Sequence, residues 1–410
     1  MSPARSASVL ALVAVTGCWR GGFDTWRAPH PGHPDAASAA DRRLAEGGVG
    51  ADGATAEDAA ADAAPVDSHA VEAGIADAAA ADADTADAPD ASVPPFVPTL
   101  VGGAEIGASV NQIVVAGPLA VLATAAAGSQ LRVLDVASPA SPQPLGSAAA
   151  SDTALHGVVV AGATAYAVGE GTPPLLETFD LSDPSQPRRL GSAALADTGY
   201  DIAVSAGRAY VVSAAGGDDL EIFDVADPAN PTRLGGLNVL DSYYVRGVDV
   251  VGAVAYIGGS VLKSIDVADP ATPVELDSTT WSEGFYWYSY DVQAVGDLVY
   301  AIESNNNGGP QLRIFDASDP TNLVRIGAVF ATNSYVRDLE VEGSYAFVAA
   351  DDSNDFVDVF DVRDPAAPQK VLSTVLPTGG LTVAVEGGVM LVGQVQNSGD
   401  ELELYELRAP

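Results

Sequence analysis

Catalysis near neutral pH draws on histidine, cysteine, paired carboxylates or a bound metal, and this chain offers few of these in promising places. Of its four histidines, His30, His33 and His69 fall in the first seventy residues and only His156 lies beyond. Histidines scattered through a polar tail are normally solvated, so no metal is assigned to His30 and His33. The one cysteine, Cys18, rules out an intramolecular disulfide framework and a thiolate metal cluster. Carboxylates are so abundant, 55 Asp+Glu in 410 residues, that no acid–base pair stands out. Asp201, Asp291 and Asp338 are the positions at which a carboxylate-dependent polysaccharide hydrolase could place its groups. The run DDSNDFVD brings Asp351, Asp352, Asn354 and Asp355 together, enough hard oxygens for calcium. It has neither EF-hand spacing nor the glycines of calcium-binding nonapeptide repeats, and a solvated acidic turn is the preferred reading. No cofactor is expected, with calcium the alternative.

Binding chemistry is better represented. The stretch TTWSEGFYWYSY carries Trp281, Phe285, Tyr286, Trp287, Tyr288 and Tyr290, although aromatics are only 7% of the chain. Tyr243 and Tyr244 precede it, and Tyr200 and Tyr335 occupy related places. Amphipathic rings beside convergent polar groups suit a sugar, a peptide or a protein hot spot; the same rings could also simply pack a long loop.

These residues are positioned by a repeat. LRVLDVASPASP, LETFDLSDPSQP, LEIFDVADPANP, LKSIDVADPATP, LRIFDASDPTNL and VDVFDVRDPAAP recur, with LELYELRAP as a degenerate seventh copy. Their acidic anchors Asp135, Asp180, Asp224, Asp266, Asp316, Asp361 and Glu406 are 45, 44, 42, 50, 45 and 45 residues apart, the period of a propeller blade. Each unit reads as an apolar strand ending in glycine, a second strand such as AYVVS, the LxIFD strand, an Asp-Pro turn and a short fourth strand. The repeated Asp accepts hydrogen bonds from turn amides, and Pro, which has no N–H, ends the ladder. The fold expected is all-β: a seven-bladed β-propeller of four-stranded blades over residues 96–410. PTLVGGA near Leu100 has the form of a fourth strand, and the C-terminus supplies only three strands. The N-terminal strand should therefore close the last blade and leave no open edge between first and last.

The strand ahead of each Asp-Pro turn resembles the LVIVD repeat, a family of bacterial surface proteins taken to form propellers. The resemblance implies architecture and no shared enzymatic activity. In such a ring the loops from each outer strand to the next inner strand surround the channel mouth. Aligning inner strands on their terminal glycine places Asn111, His156, Asp201, Arg246, Tyr290, Arg337 and Leu381 there. Among these, His156, Arg246 and Arg337 join the aromatics as ligand-binding candidates. The second hairpins, with Asp218-Asp219, Asn305 to Asn307 and the Asp351 run, are expected on the opposite face.

Residues 1–17 read as a signal peptide: Arg5, then the apolar VLALVAV, then Val15-Thr16-Gly17-Cys18, which resembles the bacterial lipobox. The resemblance implies cleavage before a diacylated Cys18, an anchor gaining about 0.8 kcal/mol per buried methylene. Trp19 rather than Asp follows, which favours outer membrane or cell surface over inner membrane. Residues 18–95 are mainly Ala, Asp, Gly and Pro, with too little to bury to offset the entropy of ordering, and read as a disordered tether. A net charge of -37 opposes nucleic acid and anionic headgroups and favours a soluble monomer. No run approaches the ~20 apolar residues of a membrane span, so the membrane is reached through the lipid alone. The function expected is non-enzymatic: an envelope lipoprotein displaying a propeller that binds an envelope or extracellular protein, peptide or glycan in adhesion or scaffolding. The alternatives are the hydrolase and a purely structural envelope component.

Overall fold

The structure is a computed structural model that describes residues 96–213, 218–239, 245–259, 261–280, 288–304, 311–331, 335–350, 356–376, 380–396 and 399–408. The signal peptide, Cys18 and the tether lie outside the described residues, as do Tyr243, Tyr244, Trp281, Phe285, Tyr286, Trp287, Asp351, Asp352, Asn354 and Asp355. So do the side chains of Tyr288 and Tyr290, whose backbone belongs to a strand.

Seven four-stranded antiparallel sheets follow one another along the chain, and no described residue is helical. Their inner strands are Val110–Ala116, Ala154–Ala161, Gly199–Ser205, Gly247–Val251, Tyr288–Val295, Val336–Glu342 and Gly380–Glu386, which open blades 1 to 7. Each contacts the next and the last contacts the first, so the ring is closed. Blades 1 to 6 are simple meanders, whereas blade 7 takes its outer strand, Val97–Ala104, from the start of the propeller, antiparallel to Leu402–Arg408. The closure expected from the strand count is therefore present.

Repetition of sequence becomes repetition of packing. A separate apolar cluster fills each of the seven seams between neighbouring blades. The aromatic of LxIFD is fully buried at Phe179, Phe223, Phe315 and Phe360, each such ring supplying about 1.5–3 kcal/mol by burial. The motif Asp does what turn chemistry requires. Asp135, Asp180, Asp224, Asp266, Asp316 and Asp361 each accept the amide two residues on at 2.9–3.0 Å. The Asp before Pro in blades 2 to 6 repeats this, as Asp227 does with the Ala229 amide at 3.0 Å, whereas blade 1 has Ser138 there.

The fourth strands show how one blade reads the next. Gly146, Gly191, Gly235 and Gly327 stand eleven residues after the anchor Asp, each against the Asp-Pro turn of the following blade. A Cβ on Gly191 would lie 2.5 Å from the Ala229 carbonyl oxygen, so no larger residue fits. Two blades depart from the rule, each for a visible reason. Blade 6 has Leu372 there, and the blade it faces is closed by two separate chain segments and has no Asp-Pro turn; Leu372 packs into the blade 6–7 core instead. Blade 4 has Asp277, and in the facing turn Leu323 replaces the Pro found at 142, 187, 231, 273 and 368. Leu323 regains the N–H that Pro lacks, and Asp277 Oδ2 accepts it at 2.7 Å. Asp277→Gly should cost roughly 1.5 kcal/mol by removing a charge-assisted bond, whereas Asp277→Gly with Leu323→Pro should recover most of that. A double-mutant cycle by urea denaturation measures the coupling, and additive losses would show the two positions to be independent.

Connectivity corrects one expectation. In an antiparallel meander the loops joining second to third strands emerge on the same face as those joining fourth strands to the next inner strand. The strand ends flanking 214–217, 305–310 and 351–355 therefore share the face of the channel-mouth loops, not the opposite one.

Candidate functional site

Inner strands begin at that face, and all but blade 4's carry a bulge at the second or third residue, where one extra residue is re-aimed. The bulged residues are Asn111, His156, Tyr200, Tyr290, Arg337 and Leu381, and in blade 4 Arg246 stands just before the strand, its N–H donating to Gly258 O at 3.1 Å. The expected set had Asp201 in place of Tyr200. The glycine used for alignment is displaced in blade 3, where Ala206 takes the left-handed turn position at φ 49° and glycine follows at 207. Gly117, Gly162, Gly252, Gly296, Gly343 and Gly387 hold that position in the other hairpins.

Three of the mouth residues stack. The rings of His156 and Tyr200 are 5.9 Å apart and 6° from parallel, and the Arg246 guanidinium carbon is 4.4 Å from the Tyr200 ring centre, within cation–π range. Asn111 Nδ2 donates to Leu155 O at 2.8 Å, and His156 Nδ1 lies 3.2 Å from Gly199 O, so each reaches across a seam to the next blade. Burial pushes the His156 imidazole down to about 3, helped by the Arg246 charge and opposed by the Gly199 contact. His156 is thus neutral, a stacked, hydrogen-bonded plate with no proton to exchange near neutral pH. Arg337 is also nearly buried at the mouth, while Tyr335 (42% exposed) and Phe330 (56%) stand free on the same face, either side of 332–334. Phe330 carries no signal in the sequence because it follows an outer strand and does not belong to an aromatic run.

One residue deeper, Gln112, Gly157, Asp201, Gly247, Asp291, Asp338 and Thr382 occupy equivalent places, and their polar side chains bond inner strands across the seams. Asp201 accepts its neighbour Ile202 N at 2.7 Å and, from the next blade, Val248 N at 2.8 Å. Asp291 does the same with Val292 N (2.7 Å) and Leu339 N (3.1 Å). Asp338 Oδ2 accepts Thr382 Oγ1 and Val383 N, both at 2.7 Å. Thr382 Oγ1 accepts Ile113 N at 3.3 Å across the closing seam, and Gln112 Oε1 accepts Val158 N. Two residues further on, Asp249 accepts Ala294 N at 2.7 Å and Gln293 accepts Val341 N at 2.6 Å. Inner strands are sheet edges facing other sheet edges, and these side chains occupy amides that no neighbouring strand reaches. The alternation in DLEVEG was the signal that charge, not apolar contact, lines part of this ring.

The other acidic positions are also engaged. Asp219 Oδ2 accepts Val239 N at 2.9 Å and Asp218 pairs with Arg233. Among the described residues no group of three or more His, Cys, Asp or Glu could hold a metal; the Asp351 segment is not among them.

The LVIVD repeat model matches residues 198–239 and 334–374, which fall on blades 3 and 6. No curated protein matches the chain. Among solved structures, it is similar to a chain of the mitotic checkpoint complex at 14% identity, covering 83% of this chain and 99% of that one with a TM-score of 0.56. It is also similar to the computationally designed Ika8 protein at 9% identity, covering 73% and 83% respectively with a TM-score of 0.54. At such identities the likeness concerns fold alone. The chain is therefore a seven-bladed β-propeller of like-built sheets, two of which match the LVIVD repeat.

Proposed function

We propose that this propeller is a non-enzymatic binding module, held at the bacterial envelope by a lipid on Cys18, and that it takes a protein, peptide or glycan partner on the face around the channel mouth. The observation that carries the reading is the His156–Tyr200–Arg246 stack, pre-organised on the face where Phe330 and Tyr335 are exposed. Rigid aromatic plates beside arginine bind planar or ring-bearing partners at low entropic cost. The bonding of both oxygens of Asp201 and Asp291 to backbone amides, and of Asp338 Oδ2 to Thr382 and Val383, supports binding over hydrolysis, because those oxygens are already occupied.

Glycan and peptide arrays probed with the full chain test this. Retention of a ligand that weakens at least tenfold in a Tyr200→Ala, Phe330→Ala, Tyr335→Ala variant of unchanged melting temperature is the expected result. Retention indifferent to all three substitutions would move the site elsewhere, and release of reducing ends from a polysaccharide would favour the hydrolase.

A further inference from the structure

The inner ring is not uniform. From blade 4 to blade 6 it gathers Asp249, Asp291, Asp338, Glu340 and Glu342, whereas in blades 1 and 2 the deeper positions are Gln112, Gly157, Val114 and Val159. Asp338 is fully buried, with Oδ2 on the blade 7 donors; the carboxyl of Asp291 adjoins it from blade 5, and the Leu339 amide is shared between the two acids. Glu340 is buried beside it, and its Oε2 has no donor. The groups that act most on Glu340 are Asp338 and Glu342 on its own strand, Asp291 from blade 5 and Asp249 from blade 4, all acids. From blade 7, Asp338 meets the uncharged Thr382 and Glu342 meets Glu386. Arg337, the nearest cation along the chain, sits on the bulge and is not among the dominant influences on either acid.

We propose that this stretch of the ring is a pH-sensitive latch, in which a proton held at Asp338 beside Asp291 keeps blades 5, 6 and 7 seated on one another and its loss in alkali loosens them. A neutral Asp338 can offer an O–H to Asp291 while its other oxygen still accepts Thr382 and Val383. Ionised, it places a second negative charge against Asp291 in a seam that water does not reach. Burial pushes the Asp338 carboxyl up to about 8 and that of Glu340 well above its ordinary value. An acid raised in this way binds its proton in the folded state at pH values where the unfolded chain has lost it. Its contribution is complete below about pH 4 and declines as pH rises through 8.

Hydrogen–deuterium exchange of the full chain at pH 6 and pH 9, corrected for intrinsic exchange, tests the latch. Peptides from Tyr288–Val295, Val336–Glu342 and Gly380–Glu386 should lose protection roughly a hundredfold at pH 9, about tenfold for each unit between pH 6 and the midpoint, while Val110–Ala116 and Ala154–Ala161 hold. Asp338→Asn, whose amide can donate to Asp291 and accept from Val383, should abolish the difference. Equal loss in all seven blades would assign the effect to general repulsion and overturn the proposal, as would a loss that persists in Asp338→Asn. The wild-type chain gives a second readout: a protonated-carboxyl infrared band present at pH 7 and weakened at pH 9. Its absence at pH 7 overturns the proposal even if the variant does not fold.

Discussion

Phe96→Ala should lower the unfolding free energy by about 3–5 kcal/mol, the usual loss for a buried phenylalanine. Deleting residues through Ala104 should remove the cooperative transition altogether. Phe96 is 9% exposed although it stands at the head of the propeller, with its ring 6.0 Å from Phe347 in a stack and 5.3 Å from Tyr345 edge-on. It sits in the seam between blades 6 and 7, where Leu372 occupies the place that glycine holds in most other blades. The strand it leads, Val97–Ala104, pairs with Leu402–Arg408 along its length, and beyond it Ile106 N and Gly107 N donate to Glu401 Oε2 at 2.7 and 2.9 Å. Its loss strips blade 7 to three strands, exposes a sheet edge and breaks the ring, and in a ring every seam depends on closure. Urea denaturation followed by far-ultraviolet circular dichroism gives both numbers. A cost below 1 kcal/mol for Phe96→Ala would mean that closure is secured by the strand pairing alone.

The architecture was legible because each blade repeats the same local solution. A 45-residue period, an Asp that caps its own turn and a Pro that ends a ladder are statements about neighbouring residues, and counting strands located the closure near Leu100. What could not be read were interactions between blades, which couple residues about 45 positions apart. Asp277 and Leu323 look like two unrelated departures from consensus until the Leu323 amide is seen to donate to the Asp277 carboxylate. Alignment on glycine misplaced Asp201 by one residue because Ala206 adopts a conformation usually left to glycine, and a single step along a strand reverses which side a residue faces. Of the site, the sequence pointed to His156, Tyr200 and Arg246 separately. Their stacking depends on three consecutive inner strands and has no local signature.

Asp201→Asn should destabilise the propeller by roughly 3 kcal/mol, and at the same ring position three blades on the chemistry differs. Both Asp201 oxygens accept backbone N–H groups, one from its own blade and one from Val248. An asparagine keeps one acceptor and turns an NH2 towards the other amide, so a charge-assisted bond is lost and two donors face each other in a buried seam. Asp338 instead accepts through one oxygen and has a second carboxyl beside the other, an arrangement an amide satisfies. Asp338→Asn should therefore be stabilising at pH 6 and more so at pH 9, opposite in sign to Asp201→Asn. Paired denaturation curves at the two pH values check both. Equal losses for the two variants at both pH values would mean that the ring carboxylates are interchangeable acceptors. An Asp201→Asn protein of unchanged stability that has lost a polysaccharide-cleaving activity would instead make Asp201 a catalytic group, because only then does its charge act on something other than the neighbouring blade.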